Sequence, residues 1–105
     1  YTFDGSGNFV ASGSVTAYSD ARLKTNVQTI VGALDKVTSM RGVIFEKNGT
    51  KSIGVIAQEI REILPEVVIE GNDEQKTLSV AYGNIVGVLI EAIKELKQEI
   101  DLLKK

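Results

Sequence analysis

Reactive chemistry in this chain has few residue types to draw on, because it contains neither cysteine nor histidine. That absence excludes disulfides, thiol nucleophiles, zinc fingers, His-based triads and His or Cys metal clusters. What remains is Ser, Thr, Lys, Asp, Glu and Tyr. A serine hydroxyl attacks only when a base takes its proton, and without histidine the available base is a lysine whose amine desolvation has made neutral. Such a pair lies in Tyr18-Ser19-Asp20-Ala21-Arg22-Leu23-Lys24, where Ser19 and Lys24 are the candidate nucleophile and base. The same residues also read as a Ser-Asp turn or cap beside two solvated cations, Arg22 and Lys24. Gln58-Glu59 is a second polar pair, but at the start of a helix it reads as capping or solvated and is assigned structural work. The chain offers no phosphate loop, metal cluster or acid pair of recognisable spacing, so no metal, cofactor or diffusible substrate is expected.

The elements that must hold such a pair belong to a small fold. At 105 residues and 11.3 kDa there is room for one core. A composition of 43% hydrophobic and 25% charged residues is that of a folding globular chain. The net charge of -2 leaves no basic excess to neutralise a phosphate backbone, so nucleic acid is not an expected partner. No apolar run reaches membrane-spanning length and the start lacks the features of a signal peptide, so no membrane association is expected either. A first residue of Tyr and not Met suggests a piece of something longer.

Two textures meet at Ser19. Residues 1–18 carry one charge, Asp4, among glycines and serines, with turn pairs Asp4-Gly5 and Gly7-Asn8 and a β-prone stretch Ser14–Tyr18. Phe9, Val10, Val15 and Tyr18 are too apolar for a linker, so this segment reads as the end of a β-rich parent that needs other chains to close it. From Ala21 the signals alternate. Ile30, Ala33, Leu34 and Val37 predict a helix over 27–39, capped by Thr25 or Asn26. Asn48-Gly49 between apolar runs predicts a hairpin. Ile56, Ile60, Ile63 and Leu64 predict a helix that Pro65 stops, and Val67–Ile69 with Thr77–Tyr82 flank a second hairpin turn at 71–76. The expected order is β, α, β, β, α, β, β, α.

The strongest periodicity comes last. Val86, Leu89, Ile93, Leu96, Ile100 and Leu103 are spaced three, four, three, four and three apart, a coiled-coil seam with β-branched a and Leu at d positions, or else a helix docked on its own domain. Ile85 at g and Ile90 at e widen the apolar face beyond what a dimer covers, which leaves three strands open. Glu99 at g and Lys104 at e supply flanking charge. The fold class expected is therefore α+β: a small globular domain of hairpins and helices at 19–84, followed by a coiled-coil helix at 85–105.

Ser19-Asp20-Ala21-Arg22-Leu23-Lys24-Thr25-Asn26-Val27 resembles the start of the intramolecular chaperone auto-processing domain, the peptidase S74 family. Gly54-Val55-Ile56-Ala57-Gln58-Glu59-Ile60 with Leu64-Pro65-Glu66-Val67-Val68 resembles a second hallmark, and Leu78–Tyr82 leading into the last helix resembles the family's ending. The likeness runs from Ser19 to Lys105, and residues 1–18 resemble the end of a phage tail fibre or tailspike. Ala81-Tyr82-Gly83-Asn84 departs from the family's bulkier, more acidic entry to the last helix.

The resemblance implies a trimeric chaperone that guides the preceding fibre segment into an intertwined β-structure and is then cut away, within a virion tail precursor assembled in the host cytoplasm. It implies Tyr18-Ser19 as the scissile bond, Ser19 as nucleophile and Lys24 as its partner, in a largely buried site; Asp20 would orient the backbone or the lysine. Two other classes remain: a trimerisation module that never cuts, and the same domain in a membrane-anchored transcription factor precursor. The uncharged, Gly and Ser-rich lead-in favours the fibre.

Overall fold

The computed structural model describes residues 2–3 and 8–105, with backbone alone for Thr2 and Phe3. The Asp4-Gly5 turn, and Gly7 of the second turn pair, lie outside the described residues. β1 (Thr2–Phe3) pairs antiparallel with β2 (Phe9–Val10). Ser14–Tyr18 forms no strand and is exposed, contrary to its alternating pattern. A strand needs a partner for its N–H and C=O groups, and this stretch has no strand partner among the described residues.

The first helix is shorter than its periodicity suggests. α1 runs Ala33–Thr38, not 27–39, and neither Thr25 nor Asn26 caps it. Asn26 sits at φ 53° and Gly32 at φ 69°, two left-handed residues between which a right-handed helix does not propagate. The apolar spacing is nonetheless real, since Ala33 is fully buried and Leu34 and Val37 pack against the core.

β3 (Val43–Lys47) and β4 (Thr50–Gly54) form the hairpin expected at Asn48-Gly49, both turn residues having positive φ as a type I′ turn requires. α2 (Ala57–Arg61) follows, and the turn continues to Leu64 through its N–H donated to the Ile60 carbonyl at 2.7 Å. The helix itself stops at Arg61, short of the end predicted at Pro65, and Pro65 opens a 3-10 turn, Pro65–Val67, where its fixed φ and missing donor suit the first position. β5 (Val68–Glu70) and β6 (Leu78–Val80) form the second hairpin. A 3-10 turn at Tyr82–Asn84 leads into α3, Ile85–Leu103, with the bounds its heptad predicts.

The fold is α+β, with three separate two-stranded sheets among the described residues. The core is Ala33, Ile60, Leu64, Val67, Val88 and Ala92. α3 contributes Val88 and Ala92 to it and docks along α1. That is little interior for a chain of this length, and much apolar surface is left over: Leu23, Val27, Val31, Ile44 and Ile53 are each at least 70% exposed.

Candidate functional site

The dyad segment is shaped by one acidic side chain. Asp20 caps a 3-10 turn, Ala21–Leu23, by accepting the Arg22 backbone N–H at 2.8 Å. The turn closes with Leu23 N–H on the Asp20 carbonyl (3.0 Å) and Lys24 N–H on the Ala21 carbonyl (3.1 Å). Chain direction reverses over these residues, and Lys24 returns to Ser19: its Nζ donates to Ser19 Oγ at 2.5 Å. A serine and a lysine five positions apart thus share one hydrogen bond, the geometry a Ser-Lys pair needs.

Asp20 does not touch the lysine. Its carboxylate takes the Arg22 guanidinium in a fork, Nε at 3.1 Å and Nη2 at 2.8 Å. Those bonds, with the Arg22 backbone N–H, hold its carboxyl below the ordinary value. Its backbone contact is with the Arg22 N–H of the turn. Arg22, read from sequence as a free cation, is the partner that spacing of two residues could have named.

The site is open. Tyr18 is 97% exposed, and every residue from Ser12 to Gly32 is exposed. The largely buried pocket expected around Lys24 is therefore not made by this chain alone.

The heptad positions form one continuous exposed stripe. Val86, Leu89, Ile93, Leu96, Ile100 and Leu103 are 42–85% exposed, while the neighbouring face of α3 carries the buried Val88 and Ala92. One helix therefore presents two apolar faces: one is used by its own domain, and the other has no partner among the described residues. At the start of α3 the stripe borders an apolar groove of about 380 Å³ lined by Val37, Met40, Val55 and Ile85 with Val86 and Leu89. Leu96 to Lys105 are exposed on every face, so the last turns of α3 extend past the domain.

Two contacts had no clear sequence signal. Glu95 on α3 accepts the N–H groups of Ala33 (3.0 Å) and Leu34 (3.0 Å), capping α1 from across the core. Those bonds keep its carboxyl below its usual range. Tyr82 Oη accepts the Val55 N–H at 3.3 Å. Glu59 neither caps α2 nor stands free: the Arg41 guanidinium pairs with it at 2.6 and 3.2 Å, tying α2 to the segment between α1 and β3. Among the described residues no acidic cluster could hold a metal, and no helix is long and apolar enough to cross a membrane.

Comparison with known proteins places these features. Residues 19–69 match the Peptidase_S74 family, described as the chaperone of endosialidase. The match begins at Ser19 itself. The chain is 38% identical to the long tail fiber protein Gp37 of Enterobacteria phage K3, over 82% of this chain and 8% of that protein. It is likewise 38% identical to Gp37 of phage T2, over 82% of the chain and 7% of the relative. Against Gp37 of phage Ox2 it is 33% identical over 95% of the chain and 43% of the relative. The chain thus spans less than half the length of each of these relatives.

Proposed function

We propose that the chain is the trimerising, self-cleaving chaperone of a phage tail fibre precursor, a reading supported by the match of residues 19–69 to the chaperone-of-endosialidase family. The observation that carries the reading is the Lys24 Nζ to Ser19 Oγ hydrogen bond of 2.5 Å, at the residue where the family match begins.

The chemistry runs within one chain. Neutral Lys24 takes the Ser19 hydroxyl proton, and Oγ attacks the Tyr18 carbonyl carbon. The attacking atom belongs to the residue that follows that carbonyl, so proximity is built in. Lys24 then returns the proton to the Ser19 nitrogen as the Tyr18-Ser19 C–N bond breaks, leaving Tyr18 esterified to Oγ. Water hydrolyses the ester, giving a Tyr18 carboxylate and restoring the Ser19 hydroxyl beside a free α-amine.

Assembly enters through the exposure of the site and of the heptad stripe. A parallel trimer along Val86, Leu89, Ile93, Leu96, Ile100 and Leu103, with Ile90 widening the contact while Ile85 packs against its own core, gathers three domains around one axis. Neighbouring chains then supply the desolvation that the isolated segment lacks, and a fibre that has not assembled is not released. Tail fibre relatives support a place in the virion tail and a partner in the preceding fibre segment, residues 1–18 being its end. The exposure of Lys24 favours one other reading, a trimerisation module that is never cut. Denaturing mass measurement separates the two. Cleavage at Tyr18-Ser19 that is lost in Ser19→Ala and Lys24→Ala, with trimers retained, supports the protease; an assembled parent that stays whole, or variants cut as readily as the parent, leaves the chaperone reading alone.

A further inference from the structure

The segment that carries the dyad is tied to the assembly helix at one polar point. From Thr25 to Gly32 the chain has no helix or strand and is exposed, a strap of at most about 28 Å if fully extended. It ends at Ala33, where α1 begins with no local cap, because Gly32 has no side chain to offer. The missing acceptor comes from α3: Glu95 takes the Ala33 N–H on one carboxylate oxygen and the Leu34 N–H on the other, both at 3.0 Å. Glu95 is also the last residue of α3 that is not exposed; beyond it the helix leaves the domain. It therefore grips the strap where α3 passes from its own domain to its free end.

We propose that Glu95 is a positioning residue for the self-cleavage, fixing the strap to α3 so that Ser19 and Lys24 meet the desolvating surface in a reproducible place. The inference rests on the cleavage reading above. Burial of Ala33 holds the strap's end to the core, but apolar contact is indifferent to rotation. Two charge-assisted bonds to successive backbone N–H groups are directional and set the angle at which the strap departs. Helices that associate along the heptad stripe carry Glu95 with them, so the register of the assembly reaches the dyad through this carboxylate.

The test compares the full chain with its Glu95→Ala and Glu95→Gln variants. The first-order rate of cleavage is read by denaturing mass measurement, in particles whose size is matched by light scattering. Displacement of a reacting group by about 1 Å can cost on the order of a hundredfold, and Glu95→Ala is expected to slow cleavage at least roughly tenfold in assemblies of unchanged size. Glu95→Gln keeps one oxygen acceptor and is expected between the two. Equal rates per assembled particle in parent and variants overturn the proposal. So does failure of both variants to assemble, which makes Glu95 structural only. An uncut parent removes the cleavage reading and this inference together, whereas a cut parent with equally cut variants removes this inference alone.

Discussion

Gly54→Ala should be destabilising for a reason that a second substitution removes. Gly54 ends β4 where the Tyr82 ring crosses it, and a Cβ there would lie 2.7 Å from Tyr82 Oη, 3.4 Å from Phe45 Cε1 and 3.7 Å from Tyr82 Cζ. Ordinary contact begins near about 3.5 Å, so the hydroxyl must retreat by roughly 0.8 Å. That retreat pulls Oη off the Val55 N–H, whose bond at 3.3 Å is already long. Overpacking of this kind costs about 1–3 kcal/mol, against a gain of about 0.4–1 kcal/mol from the stiffer unfolded chain. The net expectation is a loss of about 1–2 kcal/mol. In a Tyr82→Phe background the oxygen is gone and the next ring atom sits at 3.7 Å, an ordinary contact, so Gly54→Ala should become neutral or mildly stabilising. Phe45 is present in both backgrounds and cancels from the cycle. Urea unfolding at one fixed protein concentration measures all four chains, since association makes the midpoint depend on concentration. An equal cost of Gly54→Ala in the parent and in the Tyr82→Phe background would refute the argument.

Ile93→Asp should abolish association while leaving the α1–α3 core intact, because Ile93 is 66% exposed in the single chain; light scattering should report monomers and circular dichroism unchanged helix, and persistent trimers would sink the seam. Acid should weaken the fold below about pH 4.5. Glu95, held below its ordinary 4.5 by the Leu34 and Ala33 N–H groups, binds protons less readily folded than unfolded. Its contribution is thus complete above that pH and disappears as pH falls through the lowered folded value. Thermal scans from pH 6 to 3 should show the decline, and Glu95→Gln should flatten part of it; an unchanged profile would count against the cap. Glu59→Gln should cost little stability, as expected for a solvent-screened surface ion pair, and should leave the rate of cleavage as it is. Loss of cleavage with the fold intact would return Glu59 to the chemistry.

What the sequence made legible was whatever depends on near neighbours. The Asn48-Gly49 hairpin and the full length of α3 are written in turn chemistry and periodicity, and the structure keeps both. The Ser19–Lys24 spacing belongs with them, since an Asp-capped turn within the same few residues brings the two together. Long-range ties were not legible. Nothing near Ala33 announces that its cap comes from Glu95, and the apolar pattern that reached back to exposed Ile30 marks packing only from Ala33 onward. Tyr82 and Gly54 show the same limit: each sits in its own recognisable stretch, and only the fold shows that the glycine is small because the tyrosine passes over it. The remaining gap is of another kind. Ser14–Tyr18 has strand composition without a strand, Lys24 has a nucleophile beside it without burial, and the heptad has a seam without a second helix. Each pattern needs atoms that one chain does not contain, and on the proposed reading all three are met by the same event. Association along α3 covers the seam and brings three copies of the lead-in side by side. On that reading it also closes over the lysine, so that strand pairing in the fibre and the desolvation that cleavage needs arise together.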